Sequence, residues 1–138
     1  MSVASPFEQL FRDYATAFNA FDAERIAAYY HCPCLMVTDE LVTSFPTDDA
    51  ILENMRALLE HHRAQDVGRA EISDLRLDLQ SESLAIVRIQ WNVHDRKDAP
   101  LWSWFNSYNL VDHGSGWKIL VSTTHAVNEA GDLVRRTD

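Results

Sequence analysis

The sequence predicts an α+β domain in which three N-terminal helices pack on a curved, mostly antiparallel sheet. Two observations lead to this prediction. In the first half of the chain, apolar residues recur at spacings of three and four, which is typical of helices with one buried face. After Gly68 the spacing becomes two over four long segments with short links between them, which is typical of antiparallel strands. The predicted order of elements is α-α-β-β-α-β-β-β-β.

The first helix begins with three start signals that agree. Ser5 is suited to cap the helix, Pro6 to occupy its first position, and Glu8 follows the cap by three residues. An apolar stripe then runs along one helical face, formed by Phe7, Leu10, Phe11, Tyr14, Phe18 and Phe21. We expect this face to be buried.

A short helix and a hairpin are predicted next. Asp22 is the expected N-cap of a helix over residues 23–30. This helix has to end before Pro33, because the residue that precedes a proline is disfavoured in helical conformation. Two short apolar runs flank Asp39 and Glu40, which predicts two strands joined by a tight turn.

The third helix is predicted from its cap at Thr47 to about Arg63. Two aspartates follow the cap at the positive end of the helix dipole. His61 and His62 lie at the negative end, where cations are favourable, so we interpret both as solvated surface residues. The expected apolar face consists of Ile51, Leu52, Met55, Leu58 and Leu59.

Four strands of a meander are predicted over residues 71–80, 83–95, 101–113 and 116–126. The polar tail over residues 127–138 is expected to be loosely ordered. With 138 residues the chain has the size of one domain, and it contains no repeat or linker. We therefore interpret residues 1–138 as a single domain.

The charge of the chain argues against several classes of partner. Twenty-one acidic and twelve basic side chains give a formal net charge of -9. Because this potential repels phosphates and anionic lipids, we expect neither nucleic acid nor a membrane as a partner. The sequence has no apolar run of the roughly 18 residues that a membrane helix needs, and its start lacks a secretory signal pattern. A cytoplasmic protein is the expectation.

The strands carry large apolar side chains on both faces. On the second strand of the meander one face holds Ala85, Val87, Ile89, Trp91 and Val93. The opposite face begins with Leu84 and Ile86 and then becomes polar. A sheet with one solvated face would alternate more cleanly. We therefore expect one face to cover the helices and a cavity, and the other to pack on a second subunit in a homodimer; a larger core is the alternative.

The tetrapeptide "HCPC" holds both cysteines of the chain. One residue separates Cys32 from Cys34, which is one too few for a thioredoxin-type motif, and a disulfide between them is geometrically unfavourable. The spacings typical of metal sites are absent, and so is a glycine-rich phosphate loop. We therefore expect no metal and no cofactor, and interpret the cysteines as small buried apolar groups.

Two stretches resemble a known family. "DYATAFNAFDAERIAAYY" and "GSGWKILVSTTH", together with the element order, resemble the NTF2-like superfamily and within it the ketosteroid-isomerase and SnoaL-like branch. The resemblance covers roughly residues 5–126. It implies a conical half-barrel, open at one end, with helices closing a pocket over the concave face of the sheet. The fold hosts isomerases, dehydratases and non-catalytic binding modules, so it does not fix an activity.

The resemblance assigns chemistry only position by position. Tyr14 matches the tyrosine that donates a hydrogen bond to the oxyanion in the isomerases. The aspartate base of these enzymes falls on Thr38, with Asp39 one residue later, and their protonated acid falls on Tyr108. Since a shift of one residue turns a strand side chain to the other face, Asp39 replaces the base only if the strand ends or bulges there. Steroid isomerase activity is therefore not expected.

The same alignment predicts a mostly aromatic pocket with a few polar groups. Its expected wall, besides Tyr14 and Tyr108, consists of Phe18, Tyr30, Trp104, Asn106, Val121, Thr123 and His125. His125 is the predicted acid or base near neutral pH, and His94 is a second histidine that could serve with it. Each histidine has an alternative interpretation as hydrogen-bonded scaffold.

Two classes of function stay open. One is a cofactor-independent isomerase or dehydratase that moves protons on an apolar or carbonyl-containing compound through Tyr14, Asp39, His125 and Tyr108. The other is a ligand-binding or protein-interaction module without enzymatic activity.

Overall fold

The computed structural model describes residues 5–125. The helices are α1 (Pro6–Asn19), α2 (Ala23–Ala27) and α3 (Asp48–Ala64). The strands are β1 (Tyr30–Val37), β2 (Val42–Phe45), β3 (Val67–Leu79), β4 (Leu84–Asp95), β5 (Pro100–Val111) and β6 (Lys118–His125). The predicted order of elements is confirmed. The tail over residues 127–138, expected to be loosely ordered, lies outside the described residues.

The six strands form one curved sheet in the order β2-β1-β6-β5-β4-β3. β1 runs parallel to β6, and every other neighbouring pair is antiparallel. β3 through β6 follow one another as the predicted meander. The helices pack against one face of this sheet, so the predicted α+β class is confirmed. Within the described residues, no helix is long and apolar enough to cross a membrane.

The helix starts and the hairpin follow the local sequence signals. The Ser5 side chain accepts a hydrogen bond from the Glu8 amide at 3.2 Å, and Thr47 accepts one from the Ala50 amide at 3.1 Å. Asp22 caps α2 in the same way. The predicted turn around Asp39 and Glu40 joins β1 to β2. Each cap satisfies a backbone amide that a helix end would otherwise leave without a partner.

The segment "HCPC" is the main departure from the predicted elements. α2 ends at Ala27 instead of Tyr30, and β1 already begins at Tyr30. Pro33 therefore lies inside a strand, where the pairing with β6 shifts register between Tyr30 and Leu35. A strand accepts proline at such an irregularity, because no ladder hydrogen bond from its nitrogen is needed there.

The two cysteines have different surroundings. Cys34 is buried as expected, but Cys32 is exposed, so the interpretation of both as buried groups is wrong for Cys32. The Cys32 thiol donates a weak hydrogen bond to the Pro46 carbonyl at 3.4 Å. Both thiols are free. Within residues 5–125, no group of three or more histidine, cysteine or acidic side chains is placed to hold a metal.

The end of α1 is fastened to the edge of the sheet by Asn19. Its side-chain amide donates to the Ala70 carbonyl at 3.0 Å, and its oxygen accepts from the Ala70 amide at 2.7 Å. β3 is an edge strand, so the Ala70 backbone groups that point away from β4 have no strand to pair with. Asn19 supplies the missing partner for both groups and holds α1 over the sheet.

Replacement of Asn19 by alanine is expected to destabilise the protein by about 1–3 kcal/mol, because the buried Ala70 amide loses its partner. Urea denaturation followed by circular dichroism measures this change. Gln9→Ala is the matched control on the same helix, since the Gln9 side-chain amide donates a solvent-exposed hydrogen bond to the Asp13 carboxylate. The control is expected to change the free energy of unfolding by less than about 0.5 kcal/mol. Equal effects of the two substitutions would contradict the proposed fastening.

Candidate functional site

A cavity of about 660 Å³ lies between the helices and the sheet. This volume is within the range of small-molecule sites, roughly 300–1,000 Å³. Its lining is dominated by aromatic side chains from α1, β1, β4 and β5, namely Tyr14, Phe18, Tyr30, Trp91, Trp102, Trp104 and Tyr108. Among the described residues, no aspartate or glutamate lines the cavity.

Three tyrosine side chains contribute to this lining. The hydroxyls of Tyr14 and Tyr30 are hydrogen-bonded to each other at 2.9 Å. The Tyr108 hydroxyl accepts a hydrogen bond from the Trp91 indole nitrogen at 2.9 Å, and its ring centroid lies 6.3 Å from that of Tyr14. The helical stripe brings Tyr14 to this point, and alternation along β5 brings Tyr108. The apolar wall therefore holds a bonded tyrosine pair and a third buried phenol whose ring lies beside that of Tyr14.

Burial makes these phenols still weaker acids than a phenol in water, so they stay neutral. It raises the pKa of Tyr14 to about 12, although the hydrogen bond with Tyr30 opposes the rise. It also raises the pKa of Tyr30 and of Tyr108 well above the usual value, and the neighbouring Tyr14 adds to both shifts. A neutral phenol is a hydrogen-bond donor. The group is therefore suited to an oxygen atom of a ligand.

A second polar group is organised by the Asn106 carboxamide. Its oxygen accepts a hydrogen bond from the Trp104 indole nitrogen. Its nitrogen donates to the hydroxyls of Ser122 and Thr124, each at 3.1 Å. Both hydroxyls thus accept from Asn106 and keep their own protons for a further acceptor. Asn106 and Trp104 were predicted to line the cavity, and they do.

The predicted wall on β6 is wrong by one residue. Ser122 and Thr124 line the cavity, whereas Val121 and Thr123 do not. Strict alternation from the buried Ile119 would turn Val121, Thr123 and His125 inward. The pairing with β5 instead shifts between Asn109 and Leu110, which leaves Leu120 as an extra residue. Such a bulge reverses the faces of all later residues.

Asp39 and His125 lie together, but outside the cavity. They line an adjoining hollow of about 340 Å³ beside the β1–β2 turn, which shares Thr38, Trp104 and Thr124 with the cavity wall. The His125 Nε2 atom is hydrogen-bonded to the Ser107 hydroxyl at 3.0 Å, and burial lowers the pKa of its imidazole. The structure therefore brings the four residues predicted to be catalytic into two pairs: Tyr14 with Tyr108 in the cavity, and Asp39 with His125 next to it.

The two remaining histidine interpretations have different outcomes. His94 is bound at 3.0 Å to the Glu71 carboxylate, in agreement with the scaffold alternative. His62 was interpreted as solvated surface, and this is wrong: only 7% of the residue is exposed. The helix dipole was the wrong criterion, since it does not distinguish His61 from His62. Spacing distinguishes them, because His62 continues the buried series Ile51, Met55 and Leu59 at helical intervals.

His62 is thus a cavity residue that sequence reasoning missed. Its ring packs edge-on against Phe18, with centroids 5.1 Å apart. Burial lowers the pKa of His62, and the neighbouring His61 lowers it further. The imidazole is therefore neutral near pH 7.

Comparison with known proteins finds the same architecture. The sequence model of a family described as "NTF2-like protein (DUF6841)" matches residues 4–127. None of the curated proteins matches the sequence.

Solved structures with this architecture share little sequence with the chain. A protein of unknown function from Mycobacterium tuberculosis is 19% identical with a TM-score of 0.70, covering 88% of this chain and 70% of its own. A protein of unknown function with a cystatin-like fold from Nostoc punctiforme is 12% identical with a TM-score of 0.71. The match covers 94% of this chain and 97% of the Nostoc chain. A protein provisionally named scytalone dehydratase from Novosphingobium aromaticivorans is 15% identical with a TM-score of 0.68. The match covers 96% of this chain and 93% of the Novosphingobium chain. At these identities the similarity shows a common fold.

The neutral state of His62 makes a prediction about stability and pH. Because its pKa is lower in the folded than in the unfolded protein, the unfolded state binds more protons below the ordinary histidine value of 6.5. The lowered pKa therefore has no effect on the free energy of unfolding at pH 7.5 and reduces this free energy as the pH falls to 5.5. We expect His62→Gln to reduce this loss, measured by urea denaturation at both pH values. The pH dependence of stability that arises from the lowered pKa of His125 will remain in this variant.

The exposed His113→Gln variant is the control and should keep the full pH dependence of wild type. A His62→Gln protein with the same pH dependence as wild type would show that His62 is not held neutral by burial.

Proposed function

Since the chain belongs to the NTF2-like protein family DUF6841, whose fold provides a cavity and leaves the chemistry to its lining, we propose that it is a cofactor-independent enzyme. In this proposal the cavity binds an apolar, ring-containing carbonyl compound and moves protons on it. The observation that carries the proposal is the hydrogen-bonded Tyr14–Tyr30 pair in an aromatic wall. The resemblance of the first helix to the isomerase and SnoaL-like branch supports the same proposal.

The hydroxyl pair is suited to a carbonyl oxygen. In a hydrogen bond between two hydroxyls, one donates and the other keeps its own proton for a further acceptor. A ligand oxygen at this proton would be stabilised most when negative charge develops on it, because the surrounding wall is largely aromatic and apolar. A carbonyl group held there is polarised, and the C–H bond on the adjacent carbon becomes more acidic.

The reaction class follows from this polarisation. Loss of a proton next to the carbonyl gives an enolate with its charge at the tyrosine pair. Where a C=C bond is conjugated with the enolate, return of the proton at the far end of this system completes an isomerisation. Where the β-carbon carries a hydroxyl group, departure of this group with the abstracted proton as water completes a dehydration. Both reactions need only proton transfer and an oxyanion donor, and neither needs a metal or an organic cofactor.

A binding protein without catalysis is the second candidate. The position of Asp39 and His125 favours it, since two of the side chains predicted to move protons do not line the cavity. The same cavity would then hold an apolar ligand through its aromatic wall and the tyrosine pair. The two candidates differ in whether the ligand undergoes proton exchange.

The tyrosine pair is tested with 2-naphthol, which resembles the enol of the two-ring ketone 2-tetralone, and with naphthalene, which lacks the oxygen. Isothermal titration calorimetry should show that wild type prefers 2-naphthol, and that Tyr14→Phe and Tyr30→Phe each reduce this preference about 5- to 100-fold. Exchange of the 2-tetralone α-protons in D₂O, followed by NMR, should slow by about 10²–10³ in both variants.

Tyr29→Phe is the matched control, because Tyr29 touches the Tyr14 ring from the side and does not line the cavity. It should behave like wild type in both assays. Equal affinity of wild type for naphthalene and 2-naphthol would contradict an oxygen site at the tyrosine pair. Tight binding of 2-naphthol without catalysed exchange would favour the binding protein.

We also propose that a second copy of the chain covers the outer face of the sheet, opposite the helices. Ile86 and Val121 are left half-buried there, and the Arg88 guanidinium lies 4.2 Å above the Phe105 ring. The Arg88 Nε atom is enclosed and has no hydrogen-bond partner among residues 5–125. The amide side chains on this face, such as Asn109, carry donors and acceptors together, so the face can pair with itself about a two-fold axis.

Sedimentation velocity tests this assembly. Wild type is expected to be a dimer, and Val121→Glu is expected to be a monomer because it buries charge in the interface. Thr16→Glu on the exposed side of α1, which lies on the helix side of the sheet, is the control and should remain dimeric. Monomeric wild type at micromolar and higher concentrations would contradict the proposal.

A further inference from the structure

His62 continues the buried face of α3 into the cavity wall. Its ring is enclosed by residues of two other elements: Phe18 of α1, at a centroid distance of 5.1 Å, and Trp102 of β5, at 6.5 Å. Of its two ring nitrogens, Nδ1 is the enclosed one that has no hydrogen-bond partner among the described residues. This leaves Nε2 as the nitrogen through which the ring can exchange a proton with a molecule in the cavity.

Few other groups of the wall can accept a proton near neutral pH. The phenols of Tyr14, Tyr30 and Tyr108 are neutral donors, and the amides and hydroxyls of the wall are not basic. His61 is the one further basic side chain in the described lining, and it is exposed.

The surroundings of His62 keep it uncharged before reaction. Desolvation is the larger cause of its lowered pKa, and the His61 ring, with its centroid 6.5 Å away on the same helix, is the second. From α1 and β5 the uncharged aromatic rings of Phe18 and Trp102 pack against it in T-shaped arrangements. Glu60 and Arg63, its charged neighbours in sequence, are exposed. In the neutral tautomer that carries its hydrogen on Nδ1, the Nε2 atom has a lone pair free to take a proton.

We propose that His62 is the base of the cavity: it takes a proton from the carbon next to a ligand carbonyl whose oxygen is held by the Tyr14–Tyr30 pair. This inference rests on the proposed function and adds its missing proton acceptor. The C–H bond breaks, its electron pair becomes the C=C bond of the enolate, and the carbonyl π pair moves to the oxygen. A new N–H bond forms on the imidazole, which then returns the proton to carbon.

Phe18 contacts both parts of the site. Its ring centroid is 6.3 Å from that of Tyr14 and 5.1 Å from that of His62. A flat compound stacked along this aromatic wall would place its carbonyl oxygen at the tyrosine pair and the adjacent carbon at the imidazole. The inferred substrate class is therefore a fused-ring ketone with an acidic C–H bond.

The test measures 2-tetralone α-proton exchange in D₂O and 2-naphthol binding on wild type, His62→Gln, His61→Gln and Tyr14→Phe. We expect His62→Gln to slow exchange by about 10²–10⁴ while 2-naphthol affinity changes less than about fivefold. The wild-type rate should rise with pH through the lowered pKa of His62 and level off near pH 7, and this rise should be absent in His62→Gln. His113→Gln, far from the cavity, is the control with the wild-type rate.

The outcomes separate this inference from the proposed function. Wild-type exchange in His62→Gln together with slow exchange in Tyr14→Phe overturns the assignment of His62 and leaves the tyrosine pair in place. If exchange is lost in His61→Gln and kept in His62→Gln, the assignment of His62 is overturned as well. Absence of exchange in wild type overturns the proposed function and the inference with it.

A folding defect in His62→Gln would not block the test. The Cε1–H resonance of His62 in wild type is then followed by NMR during titration with 2-naphthol. Proximity of the ligand should shift this resonance and change the pKa that it reports. An unchanged resonance at saturating 2-naphthol overturns the inference.

Discussion

The hydrogen bonds of the buried tyrosines fix the geometry on which the rest of the cavity depends. A phenol hydroxyl enclosed among aromatic rings costs about 1–3 kcal/mol if it has no partner. Tyr14 meets this requirement with Tyr30 and thereby joins α1 to β1. Tyr108 meets it with Trp91 and joins β5 to β4. The tyrosines that line the cavity are the same side chains whose buried hydroxyls need hydrogen-bond partners. The bonds that stabilise the fold therefore also hold the polar end of the cavity in place.

These bonds also decide what the cavity can recognise. Neutral phenols and the hydroxyls oriented by Asn106 offer protons, and they do so on a wall without carboxylates in the described part of the chain. A cation would find no counter-charge there. An uncharged frame with an acceptor oxygen finds both apolar contact and donors. His62 differs from these groups, because an imidazole is basic enough to take up a proton near neutral pH, whereas phenols, hydroxyls and amides are not.

The elements were predictable from the sequence because their signals are local. The caps at Ser5 and Thr47 bond as their positions in the sequence indicate, and the inner face of β4 follows strict alternation. The site was less predictable, for a physical reason that one residue illustrates. The extra residue Leu120 reverses the alternation in β6, so Thr124 faces the cavity and His125 does not. A bulge depends on the pairing with the neighbouring strand, and a single strand shows no sign of it.

At position 62 the side chain differs from the one that would stabilise the fold most. Ile51, Met55 and Leu59 form a stripe that a leucine at position 62 would continue without leaving a polar atom unpaired. The chain instead places there an imidazole whose Nδ1 atom has no partner among residues 5–125 and whose charged form is disfavoured by burial. Burial of such a polar side chain costs free energy in the folded state that an apolar side chain at the same position would not cost. Departures of this kind from local consistency are expected at functional sites. The imidazole of His62, unpaired at Nδ1 among the described residues, lies on the wall of the cavity, beside the Phe18 ring that also contacts Tyr14. This is the physical reason to assign the chemistry to this side of the molecule.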